Sequence, residues 1–413
     1  MKRVKAIGIF LLLLLAGLTL NGQSLRGGAA LRKITPDPLL PVSGGVGKPS
    51  AVTQKRGDLF VRVMVLEYQG TKVAFASLDN LGWPAVLGNK ARALVSSIPR
   101  ENILIGATHT HSAPDAYAFP DEKGESYADM GYLNRCTELI AEAIREAESH
   151  LEEVDLKVGY GRAPAGIAYN YYAPDLYDPH CGVIQILSKK TGKPVSTLVN
   201  YAIHPEVIGS KRGILSPDVC GPLYETIENK GGGIAVFFNG ALGGMVTADN
   251  RRQQREENTW DECIRIGELL GNEALKIAEK SAIVSRPSLG VRSQVLEFPV
   301  ETPVMKHILE KSPMEYRLSN GTRISTVQNF IELGPARILT IPGEALPNIG
   351  FYLKRKMNTA YPFLFGLTND AFGYILSRVD YGSFERYNYI TRTSLGEETG
   401  EILINESLKL INK

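Results

Sequence analysis

A chain of 413 residues, 44% hydrophobic and 22% charged, can bury a sizeable core, and its 46 basic residues nearly balance its 44 acidic ones. That balance argues against a nucleic-acid partner, which needs a concentrated basic face. Cys136, Cys181, Cys220 and Cys263 form no C-x-x-C pair, so zinc-ribbon and thioredoxin patterns are absent, and the four read as small buried hydrophobes.

Residues 1–22 combine a basic start, an apolar stretch and a small-residue exit around Gly22, the pattern of a secretory signal peptide. An uncleaved anchor is the alternative, because the apolar stretch nears spanning length. Cleavage would remove Lys2, Arg3 and Lys5 and no acid, taking the net charge from +2 to about −1. Residues 23–413 contain no second long apolar run, so the expected product is an exported (periplasmic or secreted) chain without a membrane span.

"LFVRVMVLEYQ" and "TKVAFASLD" flank a glycine turn and predict a hairpin. "VLGNKARALVSSI" has helical spacing, "NILIGATH" is a buried strand, and residues 128–150 form an amphipathic helix. Three strands follow in "LKVGYGRAP", "CGVIQILSK" and "PVSTLVNYAI", then a buried strand in "GIAVFFNGA" and a long helix over 260–281. "SLGVRSQVLEFPV" and "ISTVQNFIELGPARILTIPG" supply strands, residues 301–325 an irregular excursion, and "ALPNIGFYLKRKM" and "PFLFGLTN" a final helix and strand. Hairpins mixed with helices predict a mixed α/β fold, in one domain over 23–413, with no internal repeat.

Chemistry concentrates in "GATHTHSAPD". On an extended chain His109 and His111 would face the same way, suiting two metal ligands, or one ligand and one proton-transfer group. His204, in "VNYAIHPE", ends another apolar strand just before a proline. Asp218 opens a helix in "SPDVCGP", and Glu344 sits between strand and helix in "LTIPGEALPNIG"; capping and helix-dipole roles are the ordinary explanations for both. Tyr374, Tyr381, Tyr387 and Tyr389 crowd the stretch that follows "GLTND". No G-x-S-x-G elbow and no H-E-x-x-H appears, and Ala113 breaks the H-x-H-x-D-H pattern of metallo-β-lactamase-like hydrolases.

Taken in order, "GDLFVRVMVLE", "GATHTHSAPD", "VNYAIHPEVIG", "SPDVCGPLYE", "LTIPGEALPNIG" and "GLTNDAFGY" resemble the catalytic domain of the neutral/alkaline ceramidase family across most of residues 28–400. The resemblance implies a fold of β-sheets layered between helices and an exported zinc amidohydrolase with one Zn2+ per chain. It assigns His109, His204, Glu344 and Tyr374 as zinc ligands, and His111 and Tyr387 as the residues that move protons and meet the oxyanion. Placing the second tyrosine at 387 assumes a one-residue insertion, because the family offset reaches Arg386. Two features depart from the family. Asn170 is kept but Tyr171 replaces the family arginine, and the chain ends without the additional immunoglobulin-like domain. Asn170, Tyr171 and Asp218 are the candidate substrate-binding residues.

The expected activity is therefore zinc-assisted cleavage of an amide, in an N-acylated lipid or a related small-molecule amide. Two other readings stand beside it. One is an amidohydrolase-type zinc enzyme on a (β/α)8 barrel; the early hairpin and the late "THTH" oppose it. The other is an exported binding protein that kept the fold and lost the chemistry.

Overall fold

Eight strands build the largest sheet: β1 (Arg26–Lys33), β2 (Phe60–Tyr68), β3 (Thr71–Leu78), β4 (Ile103–Ala107), β5 (Glu152–Arg162), β6 (His180–Ser188), β7 (Pro194–Tyr201) and β8 (Ile234–Asn239). The coordinates, a computed structural model, describe residues 24–121, 123–252 and 255–413; the signal-peptide reading of 1–22 falls outside the described residues. The strand order is β8-β7-β6-β5-β1-β2-β3-β4. The β2–β3 hairpin turns at Gln69 and Gly70, both at positive φ, the two-residue turn that matches strand twist. Only β3–β4 and β7–β8 run parallel, because helices α1 (Ala85–Ala93) and α3 (Cys220–Asn229) carry the chain across between them.

A second sheet, β9 (Leu289–Pro299), β10 (Arg323–Leu333), β11 (Ala336–Thr340) and β12 (Tyr361–Phe365), lies against the first in that order. Alternation gives each strand two apolar faces. Met64, Leu66 and Phe75 from the large sheet meet Ile331, Ile338 and Phe363 from the small one. Phe238 stacks on Phe365 with centroids 4.3 Å apart, and Phe75 meets both edge-on. Opposite faces pack on helices: Val63 and Ala76 on α2 (Met130–Ser149), Val199 and Phe237 on α3 and α4 (Trp260–Lys280). Leu339 of the small sheet belongs to the same core as Leu353 of α6 (Pro347–Lys356) and Leu403 of α7 (Thr399–Ile411). The expected sheets between helices are present, and among the described residues the strands form no (β/α)8 barrel, since the two largest sheets are mostly antiparallel. No helix among the described residues is long and apolar enough to cross a membrane.

Two segments differ from the sequence reading. Residues 26–33, read as no element, form β1, whose glycines allow a helix close by: a Cβ on Gly28 would lie 2.2 Å from the Ala147 carbonyl oxygen of α2. The excursion at 301–325 contains helix α5 (Pro303–Lys311), begun by a proline at its first turn and anchored by buried Met305, Ile308 and Leu309. All four cysteines are buried and free.

Lys354 of α6 reaches Asp178 at 2.6 Å and the Tyr160 hydroxyl at 3.2 Å, and Asp178 also meets the His180 ring at 2.7 Å. Burial would raise the Asp178 pKa, but Lys354 and His180 hold it well below the usual carboxylate range. Replacing Lys354 by Met leaves that buried carboxylate short of its cation. The expected cost is about 3 kcal/mol in urea unfolding at pH 7. A depressed carboxylate stabilises above its unfolded pKa of about 4 and stops doing so as pH falls through the folded value, so the gap between wild type and variant should shrink below that pH.

Candidate metal centre

Strand β4 carries "NILIGATH" to its end, and there the backbone breaks from extended geometry: His109 has φ +72°, in the left-handed region. The two histidines of "THTH" therefore do not share a face through strand alternation, as the sequence reading assumed. A left-handed kink turns them, and their rings meet edge to face with centroids 4.8 Å apart. What holds the kink is the segment after β3. The His109 N–H donates to Asn80 O at 2.9 Å, and its Nδ1 lies 2.6 Å from Leu81 O. Nδ1 must carry the proton to reach a carbonyl, which leaves the Nε2 lone pair free.

His204 follows β7 and is treated the same way. Its backbone N–H and its Nδ1 both lie 2.8 Å from the Val246 carbonyl, so its Nε2 points inward, 3.1 Å from Glu344 Oε2. Burial would lower the ring's pKa, but the hydrogen bond and charge of that carboxylate raise it. Asn239, at the end of β8, ties the two histidine loops together. Its Nδ2 donates to Thr108 O at 2.9 Å and to Ile203 O at 2.6 Å, and its Oδ1 accepts from the Ile203 N–H at 3.0 Å. Asn239→Ala would leave these groups unpaired in the interior. It is expected to cost about 2 kcal/mol of stability and, by loosening both loops, about tenfold or more in metal affinity, read by competition with a chelator.

Glu344 is the third element. Residues Glu344–Ala345 pair in parallel with Tyr374–Ile375, with Glu344 opposite Tyr374, so the two side chains rise from the same side of the pair. The turn around Gly243 packs against this strand so closely that a Cβ there would lie 2.1 Å from Glu344 O.

The donors converge. Glu344 Oε2 lies 3.1 Å from His204 Nε2 and 3.6 Å from His109 Nε2. Ligand atoms of His109, His111 and His204 all lie within 4.8 Å of one another. All but His111 are buried, and its Nε2 is nonetheless enclosed without a hydrogen-bond partner. Burial pulls the imidazoles of His109 and His111 down to about 3, so both are neutral at pH 7 and offer lone pairs. Two Nε2 atoms and a buried carboxylate this close need a cation among them, which either a proton between His204 and Glu344 or a metal ion supplies. Neutral nitrogens with a carboxylate and a phenol are a zinc-type donor set, so these residues fit the implied metal.

The remaining candidates divide. His111 Nδ1 lies 3.3 Å from Glu206 Oε2, while its Nε2 has no partner. Tyr374 is buried, its hydroxyl 3.1 Å from Met245 Sδ. Two cavities meet at His111 and Gly44. The narrower offers about 60 Å³ to the centres of water-sized molecules and is bordered by His109, Glu344 and Tyr374. The broader offers about 500 Å³ and is bordered by Glu206, Met245 and exposed Tyr171. Tyr387 borders neither; it packs against Phe384 and Tyr172, while Tyr389, two residues on, lines the narrow cavity beside Tyr374.

Asn170 and Asp218 border neither cavity, because backbone groups occupy their polar atoms. Asn170 accepts from the Tyr172 and Ala173 N–H groups and donates to Leu176 O, shaping the loop that carries Tyr171. Asp218 accepts from the N–H groups of Val207, Ile208 and Val219, pinning the loop after His204. Sequence reasoning missed Glu206, Asn239 and Tyr389. An acid straight after "HP" and an asparagine closing the apolar run "AVFFN" were the available signals for the first two.

No protein-family model matches the chain, and no curated protein matches its sequence. Solved structures do. A neutral ceramidase from Pseudomonas aeruginosa superposes with a TM-score of 0.77 at 16% identity, covering 94% of this chain and 74% of that one. A structure described as ceramidase complexed with C2 gives the same score and identity, covering 75% of its chain. This chain has the neutral ceramidase fold.

Proposed function

We propose that this chain, which carries the neutral ceramidase fold, is an exported zinc-dependent hydrolase of an N-acyl amide. The observation that carries the reading is the convergence of His109 Nε2, His204 Nε2 and Glu344 on one buried point, with both Nδ1 atoms committed to backbone carbonyls. His109, His204, Glu344 and Tyr374 would hold zinc, which when bound polarises a carbonyl and makes water nucleophilic near neutral pH.

The chain's own residues do the rest. Amide and water become carboxylate and ammonium: a C–O bond forms, the C–N bond breaks, and both water protons must end on the leaving nitrogen. His111 fits that transfer. Its Nδ1 stands 3.3 Å from Glu206 Oε2 and its Nε2 is free, so the ring has a nitrogen open to take the proton. Once protonated it returns the proton to the nitrogen. Tyr389, whose phenol lines the cavity beside Tyr374, is our choice to meet the developing oxyanion; Tyr387 would have to leave its packing against Phe384 to do so. The test is metal analysis of the purified protein followed by assay with N-acyl amides. About one zinc per chain with amide cleavage is the expected result. Zinc-free protein that takes up no added zinc would leave the binding-protein reading in its place.

A further inference from the structure

The two cavities that meet at His111 differ in chemistry, and the difference bears on what the site cleaves. The narrow one is walled mainly by Leu81, Phe119, Met305, Ile308 and Phe372, and its other lining residues, Asp370 and Tyr316 among them, include no cationic side chain to meet an anion. The broad one is bordered by Glu206, Lys211, Arg212, Asn250 and Glu256, with Tyr171 at its side. Lys211 and Arg212 are exposed, and neither has an ion-pair partner among the described residues. A scissile bond at the metal cluster must send its two halves into these two spaces.

His111, which would hand its proton to the leaving nitrogen, borders both cavities, so their walls set the direction. A charged amine half meets counter-charges of both signs only in the broad cavity, and an apolar acyl half suits the narrow one. A long apolar amine would strip water from Lys211, Arg212 and Glu256 and return no hydrogen bonds.

We infer that the substrate is an N-acyl amino acid with an apolar acyl group. Its carboxylate would meet Lys211 and Arg212, and the ammonium formed on cleavage would find Glu206 and Glu256, so one mixed set of charges suits both substrate and product. This inference rests on the hydrolase reading above.

The experiment compares N-hexanoyl-glutamate, N-hexanoyl-glucosamine and N-hexanoyl-sphingosine as substrates of the zinc-loaded protein. We expect kcat/KM for the glutamate compound to exceed that for the sphingosine compound by about a hundredfold. The Lys211→Glu/Arg212→Glu double variant should raise KM for the glutamate compound about tenfold and lower its preference over the glucosamine compound. Equal use of the three, or preference for sphingosine, would overturn the assignment and leave the hydrolase reading standing. Calorimetric binding of the same series to zinc-loaded protein separates the two claims. Tight binding of the glutamate compound without turnover would defeat the hydrolase reading alone, whereas no binding would defeat the substrate assignment.

Discussion

His204→Ala should yield protein with no retained zinc and no amide cleavage. Three facts put this residue at the centre. It is fully buried, its Nε2 lies closest to the shared Glu344 oxygen, and its other nitrogen is already committed to Val246 O. Alanine removes one nitrogen donor and leaves Glu344 facing a cavity that holds a single tethered imidazole at 3.6 Å. Elemental analysis after dialysis should fall from about one zinc per chain to near zero, with activity following. Structural zinc affinity in small peptides reaches about 10–16 kcal/mol, and losing one ligand should exceed what a chelator-free buffer can restore. Full zinc content in the variant would show that the ion, if bound, sits elsewhere.

His111→Ala should behave in the opposite way: most zinc retained, turnover lost by about 10²–10⁴-fold, the usual worth of a positioned acid–base group. The separation follows from geometry. His111 has no tie to Glu344, its Nδ1 faces Glu206, and it stands where the two cavities join. Loss of zinc in this variant would instead make His111 a ligand, which its ring nitrogen's closeness to the other two allows chemically. Glu206→Gln is a milder companion. It keeps a hydrogen-bond acceptor for Nδ1 and should lower kcat while sparing zinc.

Much of this was legible in the sequence where local and long-range demands agree. "FVRVMVLEY" is apolar at nearly every position because both faces of β2 are covered, one by α2 and one by the second sheet, and its two-residue turn has both residues at positive φ. "PGE" and "IHP" could be placed at strand ends for the same reason. What could not be read depended on partners far along the chain. β1 has two glycines and little strand propensity, and it is a strand because α2 needs their missing side chains. The proximity of His109 and His111 is legible in the spacing but not its backbone, since the left-handed turn is imposed by carbonyls at Asn80 and Leu81, 29 and 28 residues upstream. Tyr387 and Tyr389 differ by two residues, a distance that loop geometry decides and spacing alone cannot.

The three innermost donors come from positions 109, 204 and 344, each held at the end of a different strand pair. Closing loops of such length costs the unfolded chain only logarithmically more than short ones, so a bond across them acts on most of the molecule at once. With every cysteine free, the ion would be the one covalent-strength clasp between the two sheets that the described residues provide for. Metal supply then becomes a maturation step. Chains that fail to acquire zinc should open more readily at the sandwich edge and be the ones that proteases remove, so abundance as well as activity would follow the metal available where the protein folds.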